Sequence, residues 1–528
     1  MRSIGAKFLI LLCSLAGGHC SFAAERPNIV LIMSDDMGYS DLGRFGGEID
    51  TPNLDKLADG GMRFARFYSE NMCWVSRASL LTGVYHTTSL RKSALSPHCV
   101  TVAELLREQG YFTAMSGKWH LARYGDQSTW PNQRGFQRFL GTLGGAGSFF
   151  APSHLIRDNQ DASAEFARKD FYYTDAISDN AVNYIGEAKP DQPLFLYVAY
   201  TAAHWPLHAL PKDIEKYRGR FAKGWDELRK SRHARMKELG VIALDTSLSP
   251  RHPNVPAWED EPSKEWQQRR MEVYAAQIDV MDRGIGRIID ALKKSGRFEN
   301  TLVMFMYDNG GCHVEYPPTR KGDYLPEKTR DGRPMRPGNL PDIMPGPEDT
   351  YQSYGHGWAN LSNTPFRLFK QYDHEGGIHT PMIAHWPKGI TGRGKVSFAV
   401  SHLVDVMPTV LQLTGTTYPV KWNGLAIHPA IGQSLLPVFE TGKRPLPRAL
   451  YFSHNKGQAI HKGDWKLVAL KEGGGKKKGG KSKGPKWELY NITEDPSELN
   501  DLAATMPDKV RELAKEFSRW LKESQAKE

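Results

Sequence analysis

The residues best able to do chemistry lie where short apolar runs end. Pro27–Met33 is one such run, closed by Ser34-Asp35-Asp36, and Thr301–Tyr307 is another, closed by Asp308-Asn309-Gly310-Gly311. Each is short, rich in Val, Ile, Met and Phe, and bounded by turn residues, which is the pattern of a buried strand. Each delivers hard oxygen donors at its C-terminal end, the edge at which open α/β sheets bind ligands. Three carboxylates and an amide crowded on one edge are unfavourable unless a cation sits among them. Asp35-Asp36 alone would read equally well as a turn or a cap. With Asp308 and Asn309 added, the four predict an all-oxygen site suited first to Ca2+ and second to Mg2+, since no Cys/His cluster of zinc type accompanies it.

Two more strand ends point the same way. Tyr111–Met115 reads as a short strand followed by Ser116-Gly117-Lys118-Trp119-His120, and Leu194–Tyr200 as a strand followed by Thr201-Ala202-Ala203-His204. Lys118, His120 and His204 are then expected at the edge that carries the carboxylates.

The elements that must position these groups alternate between strand and helix. Helices are predicted at 53–58, at 101–107 with Gly110 as the stop, and at 171–188. Tyr274, Ile278, Met281, Ile285, Ile288 and Leu292 repeat at threes and fours, which predicts an amphipathic helix ending near Gly296. Strands separated by helices imply an α/β fold with a large, mostly parallel central sheet flanked by helices. Residues 212–265 and 315–350 are polar or Pro/Gly-rich and read as long surface insertions. From about residue 430 the character changes. Runs at 449–453 and 465–470 predict a small antiparallel sheet. Residues 508–522 predict a terminal helix with Val510, Leu513, Phe517 and Leu521 on one face. The expected division is a catalytic domain at 25–425 and a C-terminal α+β subdomain at 426–528, with a Gly/Lys-rich loop at 471–486 read as a flexible hairpin tip.

The chain has 528 residues, too many for one simple domain, and its 40% hydrophobic and 24% charged content is ordinary for a soluble globular protein. Residues 1–24 have the form of a secretory signal: Arg2 and Lys7, an apolar stretch from Phe8 to Leu15, then small residues at Ser21-Phe22-Ala23-Ala24. That stretch is too short to span a bilayer, and no later one is long and apolar enough, so an exported, periplasmic or secreted protein without stable membrane insertion is expected. The net charge of +10 drops to about +8 without Arg2 and Lys7, a moderate bias that suits an anionic substrate and requires no nucleic-acid partner. Cys73, Cys99 and Cys312 are too few and too widely spaced for a disulfide framework.

Cys73-Trp74-Val75-Ser76-Arg77, followed after three residues by Leu81-Thr82-Gly83, resembles the sulfatase signature Cys-x-Pro-x-Arg…Leu-Thr-Gly. Asp35-Asp36, Gly117-Lys118-Trp119-His120, His204, Asp308-Asn309, and Lys370 ahead of Glu375-Gly376-Gly377 match motifs of the same family in the same order. Gly144-Gly145-Ala146-Gly147-Ser148 and Tyr354-Gly355-His356-Gly357-Trp358 are similar to bacterial arylsulfatases in particular. The resemblance extends from about residue 26 to 525. It implies an alkaline-phosphatase-like fold and a sulfuric ester hydrolase whose Cys73 is oxidised by a maturation enzyme to formylglycine, which joins the metal ligands. The hydrated aldehyde offers one hydroxyl to attack sulfur and a second that later expels sulfate.

The resemblance also implies roles. Arg77 holds the formylglycine hydroxyl and orders the metal ligands. Lys118 and Lys370 clamp sulfate oxygens, His204 protonates the leaving oxygen with Lys370, and His120 takes the proton from the second hydroxyl. Ser148 and His208 are candidates to line the pocket, whereas His313, His356 and His374 read as structural. The chain departs from the pattern at Val75, where the family has Pro. A β-branched residue keeps the extended bias that a maturation enzyme reads but lacks proline's fixed φ. Aryl sulfates or sulfated carbohydrates are the expected substrates. A phosphomonoester or phosphonate hydrolase of the same superfamily, and an inactive fold that binds sulfated glycans, are the alternatives.

Overall fold

The computed structural model describes residues 26–444, 448–455, 457–470 and 485–525; the expected leader at 1–24 and residues 471–484 of the Gly/Lys-rich run lie outside them. At its centre is an 11-stranded sheet. The order across it is Lys395–Ser397, Met62–Tyr68, His379–His385, Thr301–Tyr307, Asn28–Ser34, Leu194–Ala199, Phe112–Gly117, Arg138–Thr142, Leu155–Arg157 and Gln160–Asp161, with Ser401–His402 also paired to Met62–Tyr68. Both faces are covered. Along Asn28–Ser34, Val30 and Ile32 join one apolar core while Ile29, Leu31 and Met33 join the other, and Thr301–Tyr307 divides in the same way. Burial on both faces is why these runs are continuously apolar instead of alternating. Helices Tyr173–Glu187 and Lys264–Lys294 build one layer, and Cys73–Thr82, Val102–Glu108 and Val406–Thr414 the other.

Strand direction decides where the functional residues meet. Thr301–Tyr307, Asn28–Ser34, Leu194–Ala199, Phe112–Gly117 and Arg138–Thr142 are mutually parallel neighbours. Their register sets Ser34 beside Tyr307, Met33 beside Ala199 and Gly117 beside Ala199, so these chains leave the sheet at nearly one level. His379–His385 runs the opposite way between Thr301–Tyr307 and Met62–Tyr68. It therefore begins at the edge where the others end, and the segment carrying Lys370 and Glu375 arrives there as well.

The predicted elements appear with shifted ends. Thr101 is a cap rather than a helical residue: its Oγ1 accepts from Glu104 N at 3.1 Å and the Glu104 carboxylate accepts from Thr101 N at 2.7 Å, starting the helix at Val102. The amphipathic helix spans Lys264–Lys294, longer than its apolar repeat, and Gly296 at φ +73° follows it. Residues 212–265 are not merely a surface insertion. They include the helix Gly224–Glu238, whose Trp225 and Met236 are buried and whose buried Arg232 pairs with Asp41 at 2.7 Å and Glu48 at 2.8 Å. Ion pairing, invisible to an apolar pattern, anchors that helix. Residues 315–350 do stay mostly irregular, with a short pairing of Arg336–Pro337 with Thr350–Tyr351 and isolated bridges at Lys328–Pro334 and His208–Gly346.

The C-terminal part holds a four-stranded antiparallel sheet of Ala449–Phe452, Gly457–Lys462, Trp465–Leu470 and Lys486–Asn491. Leu513 and Phe517 of the helix Pro507–Gln525 pack on Ile460, Leu467 and Leu489. The other face, through Leu450, Phe452 and Val468, packs on Tyr68 and Ile378 of the central unit. Beneath it the buried Lys466 ammonium bridges Glu375 at 2.6 Å and Glu498 at 2.9 Å. No described helix is long and apolar enough to cross a membrane.

Candidate active site

The sheet edge gathers the sequence-selected residues into one buried cluster. Asp35 and Asp36 follow Asn28–Ser34, Lys118 and His120 follow Phe112–Gly117, His204 follows Leu194–Ala199, and Asp308 and Asn309 follow Thr301–Tyr307. Asp36 takes φ 60°, a left-handed conformation that Asp tolerates better than most residues, and its N–H donates to Asp308 Oδ1 at 3.2 Å. Ligand atoms of Asp35, Asp36 and His204 lie within 4.8 Å of one another, as do those of Asp35, Cys73 and Asp308.

Cys73 opens the helix Cys73–Thr82, and its Sγ lies 3.3 Å from His120 Nδ1. Burial pushes the thiol up, against the opposing pull of Lys118 and Lys370. One turn on, the fully buried Arg77 guanidinium lies 2.9 Å from Asp308 Oδ2 and 3.6 Å from Asp35 Oδ2, and donates to the Lys118 carbonyl at 2.9 Å. Ser76 Oγ donates to the Asp308 carbonyl. Lys118 Nζ contacts Asp35 Oδ2 at 2.5 Å, and Lys370 Nζ contacts Asp36 Oδ1 at 2.6 Å. His204 Nε2 is 3.4 Å from Asp36 Oδ2, while its Nδ1 lies 2.6 Å from the Trp205 carbonyl. A carbonyl only accepts, so Nδ1 carries a proton.

The three carboxylates are not equivalent. Burial raises Asp35, but Lys118, His204 and Arg77 more than offset it and leave the carboxyl far below its usual range. Asp36 is lowered likewise, with Lys370 and His204 overcoming burial. Asp308 goes the other way: burial and the neighbouring Asp35 charge push it up to about 7 despite Arg77. Burial holds His204 down to about 4 against Asp36, and burial with Lys118 and Arg77 holds His120 well below an ordinary imidazole.

Asp35 Oδ1, Asp36 Oδ2 and Asn309 Oδ1 are buried without a hydrogen-bond partner, while Asn309 Nδ2 donates to Asp36 Oδ1 at 2.7 Å. Each unpartnered buried acceptor costs roughly 1–3 kcal/mol. A hard divalent cation is a partner that three such oxygens can share, and it would also relieve the crowding felt by Asp308. The donor set therefore fits Ca2+ or Mg2+.

The sequence expectations divide at the periphery. Ser148 and His208, the candidates to line the pocket, are buried and engaged in hydrogen bonds of their own. His208 is fully buried, with Nδ1 3.4 Å from Ser148 Oγ and Nε2 2.6 Å from the Thr350 carbonyl, so the pair pins a loop. His313 and His356 pack with Phe369, and His374 Nε2 is 3.1 Å from Glu488, in keeping with structural roles. Ser76 and Cys312 join the site's second layer without a signal of their own beyond adjacency to Arg77 and Asn309. Burial and Asp36 push the Cys312 thiol up. Gly145 packs closely on the site: a Cβ there would lie 2.3 Å from His120 Cε1, so a larger residue would have to displace the ring or the loop.

Comparison with known proteins agrees with this geometry. The Sulfatase family model matches residues 27–416, and that of the N-sulphoglucosamine sulphohydrolase C-terminal region matches 366–527. An uncharacterized sulfatase of Schizosaccharomyces pombe is 32% identical over 540 residues, covering 94% of this chain and 93% of its own. The arylsulfatase of Klebsiella aerogenes is 33% identical over 450 residues, covering 80% and 94%. Among solved structures, Ps i-CgsB in complex with k-i-k-neocarrahexaose aligns with a TM-score of 0.64 at 25% identity, covering 94% of this chain and 93% of that one. The phosphonate monoester hydrolase of Agrobacterium radiobacter, at 19% identity and a TM-score of 0.55, shares the fold. The chain belongs to the sulfatase family, within the alkaline phosphatase superfamily.

Proposed function

We propose that this sulfatase cleaves sulfate monoesters through a formylglycine made from Cys73, held against a Ca2+ ion by Asp35, Asp36, Asp308 and Asn309, with Mg2+ as the second choice. One observation carries the reading. Cys73 Sγ lies 3.3 Å from His120, and it and ligand oxygens of Asp35 and Asp308 lie within 4.8 Å of one another, beside three buried oxygens that have no hydrogen-bond partner. The cation would neutralise the crowded carboxylates and polarise an oxygen brought to it. Hydrated formylglycine would supply one hydroxyl to attack sulfur and another whose deprotonation releases sulfate.

The chain's own residues supply the rest. Arg77, locked to Asp308 and the Lys118 carbonyl, fixes the first turn of the helix against the ligands. Lys118 and Lys370 contact carboxylates that a cation would take over, and would then turn to sulfate oxygens, stabilising charge spread over the transferring SO3 group. His204 and Lys370 flank the leaving oxygen. In the metal-free cluster Asp36 outweighs burial and raises Lys370, whereas burial holds His204 down to about 4, so of the two Lys370 keeps its proton more firmly. His120, kept neutral by burial and its cationic neighbours, accepts the proton from the second hydroxyl. Val75 is buried in the folded helix. A maturation enzyme would meet it earlier, in the unfolded chain, where its β-branch favours the extended form.

Small aryl sulfates serve as assay substrates, and a sulfated carbohydrate is the natural class this reading favours, given relatives such as the arylsulfatase above and the carbohydrate complex of Ps i-CgsB. The leader-like residues 1–24 support export to the periplasm or medium. The test compares wild-type and Cys73→Ala protein on 4-nitrophenyl sulfate and 4-nitrophenyl phosphate. Sulfate turnover that vanishes in the variant supports the reading. Full turnover by Cys73→Ala contradicts it, and a preference for the phosphate moves the chain to phosphoryl chemistry.

A further inference from the structure

Lys370 reaches the site on a segment whose backbone would not hold its shape alone. Residues 363–374 lie outside any helix or strand, between the helices Gly355–Ser362 and Glu375–Ile378. Leu368 at φ 65° and Gln371 at φ 80° flank Lys370, both in the left-handed region that a residue with a bulky side chain avoids unless its surroundings impose it. A buried asparagine helps to impose it. Asn363, just past the first of those helices, accepts from Gly311 N at 2.9 Å through Oδ1 and donates to the Leu368 carbonyl at 2.9 Å through Nδ2. The two partners fix which way the amide points, because an N–H only donates and a carbonyl only accepts. Lys370 N donates to Gly311 O at 3.1 Å, and Gln371 N to the Asn71 carbonyl at 2.8 Å. The joint is tight: a Cβ on Gly310 would lie 1.9 Å from Gly376 O. The links form a ring. It runs from Asn363 through Gly311 to Asn309, whose Nδ2 donates to Asp36 Oδ1 at 2.7 Å. It continues from that oxygen to Lys370 Nζ at 2.6 Å and returns along the chain to Leu368.

We infer that Asn363 is a positioning residue for Lys370: without touching substrate, it ties the backbone that carries the ammonium to the glycines behind Asp308 and Asn309, and so sets where Lys370 meets the leaving oxygen. The inference rests on the sulfate-ester reading above and on the role it gives Lys370. A cation held by Asp36 would take over the oxygen that Lys370 now contacts, and the ammonium would then depend on its backbone ties for its place. Leucine at 363 fills the same space but leaves the buried Gly311 N–H and the Leu368 carbonyl unpaired, so the left-handed turn is free to relax. Aspartate keeps the shape and still accepts from Gly311 N, but it turns lone pairs towards the Leu368 carbonyl and breaks only the Lys370 side of the clamp. A misplacement of about 1 Å at a reacting group can cost on the order of 100-fold in rate.

The test uses the full-length protein matured in its own host, with rates normalised to the formylglycine content found by mass spectrometry. Values of kcat/KM are measured for 4-nitrophenyl sulfate and phenyl sulfate in wild type, Asn363→Leu, Asn363→Asp, Lys370→Ala and the two double variants. Each Asn363 change should lower kcat/KM for phenyl sulfate by about tenfold or more. The loss should be smaller for 4-nitrophenyl sulfate, whose phenolate leaves with less help from a proton. Added to Lys370→Ala, either change should cost less than about threefold more, because residues that act as a unit are not additive. Should Asn363→Leu fail to fold, Asn363→Asp decides alone. Unchanged turnover, an equal loss for the two esters, or a loss that multiplies in full with Lys370→Ala overturns the inference and leaves Asn363 a part of the framework only. A Lys370→Ala protein as active as wild type, or no sulfate turnover in wild type, instead defeats the underlying reading.

Discussion

Arg77→Met is the most informative single perturbation, because Arg77 ties the nucleophile helix to the metal ligands. Its guanidinium is wholly buried, with Asp308 Oδ2 at 2.9 Å, Asp35 Oδ2 at 3.6 Å and the Lys118 carbonyl at 2.9 Å. Removing one partner of a buried ion pair typically costs roughly 3–5 kcal/mol, since the other charge is stranded. Asp308 is already pushed up to about 7, so it can take a proton once Arg77 is gone, which places the expected loss near the lower end, about 3 kcal/mol. Urea unfolding of chelator-treated protein at neutral pH measures it. Added Ca2+ should restore more stability to the variant than to wild type, because the ion replaces the missing positive charge and stabilises by mass action. Turnover should not recover with it. Losing a preorganised donor of this kind costs on the order of 100-fold to 1,000-fold in rate. A stability loss below about 1 kcal/mol in metal-free protein, where a buried pair demands more, refutes the reasoning. Turnover within about threefold of wild type does so too.

Three further outcomes follow from the same geometry. Lys466→Met strands the buried Glu375 and Glu498 carboxylates and should lower unfolding stability by roughly 3–5 kcal/mol, read by urea midpoint; a neutral effect would show that the two carboxylates find other partners. Gly145→Ala sets a Cβ against His120 and should cut kcat by about tenfold or more with the unfolding midpoint little changed; unchanged kcat would mean the loop simply moves aside. Burial holds His385 down to about 4, so below the ordinary imidazole value of about 6.5 the unfolded chain binds the extra proton. The stability this represents is complete above about 6.5 and lost as pH falls towards 4, and His385→Phe, which keeps the ring stacked on Phe298, should flatten that limb of the curve. An identical slope in the variant would remove His385 as its source.

Much of the site was legible because the strands that carry it are buried on both faces and announce themselves as apolar runs. Pro27–Met33 and Thr301–Tyr307 were readable on that ground, and the oxygens after them follow from strand-end chemistry. Lys370 was different. Only motif resemblance located it, because what brings it to the edge is the reversed direction of His379–His385, and direction leaves no trace in an apolar pattern. The helix Gly224–Glu238 was hidden for another reason: its buried face mixes Trp225, Leu228 and Met236 with Arg229 and Arg232, the latter paired to Asp41 and Glu48, so the apolar stripe is interrupted by charge. His208 and Ser148 serve hydrogen bonds of their own loop, a role that residue type near a conspicuous turn does not distinguish from pocket lining.

The central claim concerns the chemical state of residue 73, and mass spectrometry of the tryptic peptide Phe67–Arg77 from protein made in its own host tests it most directly. The aldehyde, or its hydrate, is the expected species. An unmodified thiol in material that still turns over sulfate esters would contradict it.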